Sequence, residues 1–325
     1  MSVYTIVEPA QLEPLLLAYG LGRLLALEPI QGGIENSNYF LTVEAEDGPR
    51  QLVLTLFEEL DPVAAAFLPP LLVHLHQQGV EVAAPLATWD GSYQPLFLGK
   101  AAQLAPCLMG QHALMPGPRQ CEAVGQALAG LHIALQGYPL QRANTHGADW
   151  WQEVATRWRP RLGLTDRLLL DKCLDDFAVV CANAPALPRG LIHGDLFRDN
   201  TLYMGDAVSG ILDFSEAAAD YLLLDIAITM NDFCRAWPQL RLKRDSVRAF
   251  IEGYASLRPL LAEERQALPA FLAVAAMRFW LSRLDINARN AVENRSGEHV
   301  LEKDPQEMRD MLADRLSLRV GDLGI

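Results

Sequence analysis

Lysine is scarce in this sequence of 325 residues. Only four of its 27 basic residues are lysines, at positions 100, 172, 243 and 303, and the others are arginines. A phosphate-binding P-loop requires a lysine between a glycine and a serine or threonine. Lys100 alone follows a glycine, and the next residue is Ala101. The sequence therefore excludes a P-loop, and a phosphate site in this protein must be built in another way.

Cysteines, positive charge and long apolar runs are also in short supply. The five cysteines are scattered and form no C-x-x-C pair, which favours reduced, buried thiols over a metal site or disulfide framework. The formal net charge of −13 disfavours nucleic acid and membrane surfaces as partners. The uncharged runs at 63–80 and 101–118 contain prolines, histidines and glutamines, so neither is a predicted membrane span. Because the N-terminus shows no secretory signal, we expect a cytoplasmic protein.

The first hundred residues are predicted to form a small, strand-rich lobe. A helix over 9–19 precedes three strands, and a second helix over 62–78 ends at Gly79. Two further strands are expected on either side of the Asp90-Gly91 turn. The first three predicted strands lie at 24–30, 38–43 and 51–57.

Beyond residue 104 the apolar spacing becomes mainly helical. Short strands are expected only between 191 and 213. The predicted helices lie at 119–136, 150–162, 165–182, 222–234, 245–254 and 262–286. The sequence thus predicts an α+β, bilobal protein-kinase-like fold. Its parts are a five-stranded antiparallel N-terminal lobe over 1–103, a hinge over 104–111 and a larger, mainly helical C-terminal lobe over 112–325.

The most specific pattern begins at His193, where Asp195 and Asn200 follow with the spacing H-x-D-x-x-x-x-N. A hairpin predicted over 201–212 places Asn200 and Asp213 opposite each other at its open end. One amide oxygen and one carboxylate suit a hard cation such as Mg²⁺. Asp195 precedes the hairpin, where its carboxylate can accept a proton from an attacking hydroxyl group. These are the parts of a kinase catalytic loop.

A glycine loop is predicted at Gly32 and Gly33, between the first two strands, because glycines allow a backbone to approach phosphates closely. Protein kinases also use a lysine on the third strand. That inward position holds Thr55 here, so we predict that Arg198 of the catalytic loop neutralises the transferring phosphoryl group. His193 is predicted to orient the loop.

At these residues the sequence resembles the aminoglycoside-phosphotransferase and choline-kinase superfamily, and within it the type II homoserine kinases. The superfamily pattern H-G-D-x-x-x-x-N stands at 193–200, and I-x-D-F at 211–214. Thr55 and the sequence E-N-S-N-Y at 35–39 narrow the resemblance to the homoserine kinases. Further matching stretches lie at 54–58, 124–132 and 252–254.

The resemblance implies a kinase that uses ATP and Mg²⁺ to phosphorylate the hydroxyl group of L-homoserine in threonine biosynthesis. It makes Asp195 the catalytic base, Asn200 and Asp213 the Mg²⁺ ligands, and Asp225 a structural residue. It also implies nucleotide contacts in the glycine loop and in the hinge. These nucleotide-binding residues are Gly32, Gly33, Asn36, Ser37, Asn38, Gln103, Leu104 and Pro106.

The acceptor pocket for homoserine needs at least one cation and one hydrogen-bond acceptor, because homoserine carries a carboxylate and an ammonium group beside its hydroxyl. Arg278, Arg283 and Asp285, near the end of a long helix, are the candidates. Surface ion pairs would explain the same residues.

Three alternatives stay open at this stage. A choline or ethanolamine kinase would use an aromatic cage, for which Trp237, Tyr254 and Trp280 are available. An aminoglycoside kinase would use an acidic acceptor pocket, and a nucleotide-binding pseudokinase would transfer no phosphate. The sequence leaves the oligomeric state open.

Overall fold

A computed structural model describes residues 5–30, 36–58, 62–139, 141–292 and 304–324 of the chain. The described chain divides into two compact units, of which the first ends at Met109 and the second begins at Gly110. The two units differ in architecture. The first is built on one sheet and the second mainly on helices.

The first unit contains an antiparallel sheet of five strands in the order β1-β2-β3-β5-β4. A 3₁₀ turn at Pro9–Leu12 leads into helix α1 (Glu13–Ala18), and α2 (Pro62–Gln77) follows β3. The five strands are β1 (Leu24–Pro29), β2 (Asn36–Val43), β3 (Arg50–Phe57), β4 (Leu96–Phe97) and β5 (Lys100–Pro106). The predicted five-stranded lobe is therefore confirmed.

Side chains alternate between the two faces of this sheet, as expected for a strand period of two. Tyr39, Leu41, Leu54 and Leu56 point to one face, where they form a core with Leu12 and other apolar residues of the N-terminal segment. The intervening residues of β2 and β3 are only partly buried or exposed. The alternation sorts the predicted nucleotide-binding residues onto two faces.

The strand pair expected around Asp90-Gly91 is wrong in its position. Asp90 and Gly91 lie in a tight turn in which the N–H of Gly91 donates to the carbonyl of Thr88 at 2.9 Å. The β4–β5 turn is instead made by Leu98 and Gly99, both at positive φ (51° and 77°). Two-residue hairpin loops favour residues with positive φ. Leucine rarely adopts a positive φ, so the sequence did not predict a turn at this position.

The second unit is mainly helical, as expected. Two small antiparallel sheets lie among its helices and carry the functional loops: β6 (Arg189–Ile192) pairs with β9 (Ala218–Tyr221), and β7 (Thr201–Met204) pairs with β8 (Ala207–Ile211). The helices are α3 (Pro118–Ala134), α4 (Ala148–Trp158), α5 (Leu164–Asn183), α6 (Leu222–Phe233), α7 (Arg244–Leu257), α8 (Ala262–Val292), α9 (Pro305–Arg315) and α10 (Val320–Leu323). The α+β fold class is confirmed.

Helices α6 and α8 form the core of the second unit. Every residue of α6 is buried, including the acidic residues Asp225 and Asp232. By length and composition alone, α8 is the one described helix that is long and apolar enough to cross a membrane, over Ala262–Asn290, but 67% of its apolar 18-residue window is buried inside the protein. A helix whose apolar stretch is mostly buried in this way is a core helix.

Candidate active site

Both nitrogens of the His193 ring bind backbone groups and thereby position the loop that follows β6. This fully buried imidazole donates from Nε2 to the carbonyl of Leu212 at 2.9 Å, and its Nδ1 accepts the N–H of Asp195 at 3.2 Å. Burial lowers the pKa of His193, which fits a neutral ring with its proton on Nε2. The ring thereby links the residue before Asp213 to Asp195.

Asp225 of α6 binds the backbone of the same loop. Its Oδ2 accepts the backbone N–H of His193 at 2.7 Å and the Nε2–H of His132 at 3.0 Å, while Oδ1 accepts the N–H of Gly194 at 2.9 Å. Burial raises the pKa of Asp225, but these hydrogen bonds and the neighbouring histidines outweigh it, so the pKa lies below its usual value. A buried carboxylate with three donors is well satisfied.

Gly194 is required at the bend between these anchors. Its φ is +79°, a conformation that side chains disfavour. A Cβ at this position would lie 2.8 Å from the carbonyl oxygen of Glu216. The loop backbone therefore lies directly against the segment that follows β8.

Asp195 and Asn200 are brought together as predicted. The Nδ2 group of Asn200 donates to the carbonyl of Asp195 at 2.8 Å and to its Oδ2 at 3.1 Å. Burial raises the pKa of Asp195 to about 8; the charge of Arg278 opposes this, whereas Asp213 and Glu216 add to it. The carboxyl group thus holds its proton more strongly than an ordinary aspartate.

The hairpin register differs by one residue from the expected one. Met204 pairs with Ala207, so the turn lies at Gly205 and Asp206, and a bulge between Leu202 and Tyr203 then moves the pairing by one residue. The backbone carbonyl of Asn200 therefore accepts the N–H of Leu212, and Asn200 does not face Asp213. Asp213 follows at a φ of +54°, exposed, with Oδ1 accepting the N–H of Ser215 at 3.2 Å. The expected pairing required a later turn; the earlier turn moves the register by two residues, and the bulge restores one of them.

The oxygen atoms at this end of the hairpin are suitable ligands for a Mg²⁺ ion. The amide nitrogen of Asn200 donates to Asp195, so its amide oxygen would be available as a metal ligand, and Asp213 has a carboxylate. Among the described residues there is no group of three or more histidine, cysteine, aspartate or glutamate side chains that would hold a metal. Mg²⁺ commonly uses one or two protein oxygens together with phosphates and water.

Arg198 is occupied by partners within the second unit. Its backbone N–H and Nε both donate to Oδ2 of Asp232, at 2.8 and 2.9 Å, and Nη1 donates to the carbonyl of Leu114. Its guanidinium carbon lies 3.5 Å from the ring centroid of Trp237. These contacts attach the catalytic loop to α6. Phosphoryl neutralisation by Arg198 stays a prediction.

The three predicted acceptor residues do not come together. Arg283 donates to the carbonyl of Asp304 and to Glu307 at 2.7 and 2.8 Å, which joins α8 to α9. Asp285 accepts from Trp158 of α4 at 2.5 Å. Arg278 alone reaches the catalytic loop, where its Nη1 donates to the carbonyl of Gly194 at 2.9 Å.

Sequence reasoning missed Glu216, which lies between β8 and β9. Its Oε2 accepts from Nη2 of Arg278 at 2.6 Å and from Nδ1 of His146 at 2.7 Å. Glu216 stands three residues after Asp213, but nothing in the local pattern marks it. Its partners lie 62 and 70 residues away in the chain, so only packing brings them to it.

In the first unit, the predicted nucleotide-binding side chains lie on opposite faces of the sheet. Asn38 accepts from Thr55 at 2.8 Å, and Gln103 pairs with Thr55 across the ladder. Ser37 points to the other face, where it donates to Glu58 at 2.5 Å. Lys100 forms an ion pair with Glu58 too, so it does not substitute for a lysine at the Thr55 position.

The remaining nucleotide-binding predictions divide by position. Leu104 buries its side chain in the core, so the predicted contact to adenine could come only from its backbone, and Pro106 ends β5. Asn36 begins β2. Gly32 and Gly33 lie outside the described residues.

A small antiparallel sheet followed by a helical unit with this catalytic loop defines a protein-kinase-like phosphotransferase. The sequence matches the phosphotransferase enzyme family over residues 26–260. It is 39% identical over 320 residues to a homoserine kinase of Pseudomonas aeruginosa strain LESB58, which covers 98% of each chain. Identity to a homoserine kinase of Neisseria meningitidis serogroup B strain MC58 is also 39%, over 96% of this chain and 99% of that one. The chain therefore belongs to the phosphotransferase enzyme family, among its homoserine kinases.

Solved structures of low sequence identity share the fold. A putative aminoglycoside phosphotransferase of Ralstonia eutropha JMP134 matches 95% of this chain and 97% of its own, with a TM-score of 0.66 and 14% identity. A microcompartment-associated aminopropanol kinase matches 95% of both chains with a TM-score of 0.63 and 19% identity. The protein-kinase-like architecture predicted from the sequence is thus confirmed.

Proposed function

We propose that this protein transfers the γ-phosphoryl group of ATP to the hydroxyl group of L-homoserine and forms O-phospho-L-homoserine. Similarity to curated homoserine kinases over 98% of the chain is the observation that carries the proposal. The intact triad of Asp195, Asn200 and Asp213 supports activity rather than a pseudokinase role. The reaction is a step of threonine biosynthesis.

Asp195 is the proposed catalytic base, which accepts the proton of the homoserine hydroxyl as that oxygen attacks phosphorus. Asn200 donates one hydrogen bond to the Asp195 carboxyl group and one to the Asp195 backbone carbonyl, which holds the residue in place. Asn200 and Asp213 would hold Mg²⁺, which supplies neutralisation of phosphate charge when bound. His193 and Asp225 position the loop, so its residues need little reorganisation during the reaction.

The proposed nucleotide contacts of the first unit come from the glycine loop and the end of β5. Gly32 and Gly33 would cover the phosphates, with Asn36, Ser37 and Asn38 at the start of β2. Backbone groups from Gln103 to Pro106, at the start of the proposed hinge over 104–111, would meet adenine. Thr55 cannot supply the positive charge that a kinase lysine supplies, so more of that neutralisation would come from Mg²⁺.

An ADP-release assay with Mg-ATP tests the proposal across L-homoserine, choline, 3-aminopropan-1-ol and an aminoglycoside. We expect turnover with L-homoserine. Asp195→Asn should abolish turnover but leave ATP binding largely intact, because the amide has similar size and cannot take the proton at neutral pH. Asp206→Asn, on the exposed turn between β7 and β8, is the matched control. Robust turnover of choline without turnover of homoserine would overturn the assignment, and ATP binding without any turnover would indicate a pseudokinase.

A further inference from the structure

Glu216 is placed beside the catalytic loop by two independent contacts. Its carbonyl oxygen lies so close to Gly194 that a Cβ there would approach it to 2.8 Å. Its carboxylate accepts from Arg278, and the same guanidinium donates to the carbonyl of Gly194 at 2.9 Å. Because Gly194 precedes Asp195, the Arg278 fork holds the Glu216 carboxylate at a set position relative to the proposed base.

The carboxylate of Glu216 has an oxygen left for a ligand. Both of its hydrogen bonds, from Arg278 and His146, end on Oε2, and no described residue donates to Oε1. The side chain keeps 28% of its surface exposed, so it is not sealed in the core. Burial raises the pKa of Glu216, but the His146 hydrogen bond and the Arg278 charge outweigh it, and the group is ionised at neutral pH.

Two arginines lie beside Glu216. Arg278 contacts its carboxylate at 2.6 Å, and Arg142 donates to the carbonyl of the preceding residue, Ser215, at 2.6 Å. Both described hydrogen bonds to Glu216 use Oε2, so Oε1 can still accept one. An ammonium group that donates to a carboxylate forms a strong, charge-assisted hydrogen bond.

We propose that Glu216 binds the α-ammonium group of the amino-acid acceptor, while Arg278 and His146 act as positioning residues that hold its carboxylate. The inference rests on the proposed function, because homoserine is the acceptor that carries an ammonium group three carbons from the reacting hydroxyl. It changes the role expected for Arg278, whose Nη1 and Nη2 groups hold the loop and Glu216. Glu216 thereby becomes a determinant of specificity for amine-bearing alcohols.

The test pairs the variant Glu216→Gln with substrates that lack one group each. L-Homoserine carries both charged groups, 3-aminopropan-1-ol lacks the carboxylate, and 4-hydroxybutanoate lacks the ammonium. We expect kcat/KM of the variant to fall about 10- to 100-fold for the two amines, the range for a hydrogen bond between charged groups, and to change less than about threefold for 4-hydroxybutanoate. Where turnover is too slow, the inhibition constant against L-homoserine replaces kcat/KM.

Glutamine still accepts from Arg278 and His146, so the variant is expected to fold, and its thermal midpoint and ATP affinity are measured beside the wild type. Glu216→Asp should recover part of the preference for amines. Glu153→Gln, a 74% exposed glutamate on α4, is the control. An equal loss with all three compounds would show that Glu216 is only structural, and an unchanged preference would place it outside the acceptor site; either result overturns the inference.

Failure of the proposed function has a different signature. In that case the wild type does not phosphorylate L-homoserine, whether or not Glu216 binds an ammonium group. The comparison of 3-aminopropan-1-ol with 4-hydroxybutanoate, as substrates or as inhibitors, then still reports whether Glu216 recognises an amine.

Discussion

Replacement of Gly194 by alanine tests whether the bend of the catalytic loop sets the position of Asp195. At a φ of +79° an alanine costs about 1–2 kcal/mol relative to glycine. The added Cβ would also lie 2.8 Å from the Glu216 carbonyl oxygen, about 0.6 Å inside ordinary contact. Overpacking of this kind costs a further ~1–3 kcal/mol. The loop must therefore shift by several tenths of an ångström or lose stability.

Gly205→Ala separates the two costs. Gly205 also has a positive φ, +64°, but a Cβ there meets nothing within 4 Å. We expect Gly205→Ala to lower the free energy of unfolding by about 1–2 kcal/mol with kcat unchanged. Gly194→Ala should lose about 2–5 kcal/mol in total.

The two variants are compared by urea unfolding and by steady-state phosphorylation of L-homoserine. A displacement of about 1 Å costs on the order of 100-fold in rate, so the smaller shift expected for Gly194→Ala should lower kcat about tenfold or more. If Gly194→Ala loses no more stability than Gly205→Ala and keeps the wild-type kcat, the close approach to Glu216 does not control the loop.

Two further predictions concern the anchors of the site. Asp225→Asn should lower the free energy of unfolding by about 2–3 kcal/mol at pH 7, because hydrogen bonds to a charged group are weakened. Since the pKa of Asp225 is depressed in the folded protein, its contribution is present above the unfolded pKa and is lost as pH falls through the folded pKa. Urea unfolding between pH 3 and 7 should thus show a weaker pH dependence for the variant, and parallel curves would contradict this. Asp213→Asn should raise the Mg²⁺ concentration at half-maximal rate by about tenfold or more, and EDTA should stop turnover of the wild type. An unchanged Mg²⁺ dependence would exclude Asp213 as a ligand.

Elements with a strong local pattern were predicted well. The alternating strands β2 and β3 and helices such as α3 lie within two residues of their expected bounds. Each depends on neighbours close in the chain, where periodicity is informative. The β4–β5 turn was misplaced because Leu98 adopts a positive φ, which its type does not indicate.

In the candidate site, too, contacts between residues close in the chain were predicted better than contacts between distant residues. Asp195 and Asn200 are five residues apart, and their contact follows from the loop itself. The position of the β7–β8 turn, together with the bulge, makes Leu212 rather than Asp213 the partner of Asn200. Asp232, 34 residues away, binds Arg198, which the sequence pattern does not indicate, and the role of Arg198 at the phosphate stays a prediction. These outcomes depend on non-local packing.

The sequence by itself determined the class of chemistry, through the spacing of His193, Asp195, Asn200 and Asp213 and the lack of a P-loop. Only the tertiary structure decided what surrounds that chemistry. Glu216 meets Arg278 and His146 across 62 and 70 residues. The spacing of residues along the chain predicts which loop or strand holds a catalytic side chain. The pairing of charged residues far apart in the sequence depends instead on how whole helices pack, which no short sequence pattern encodes.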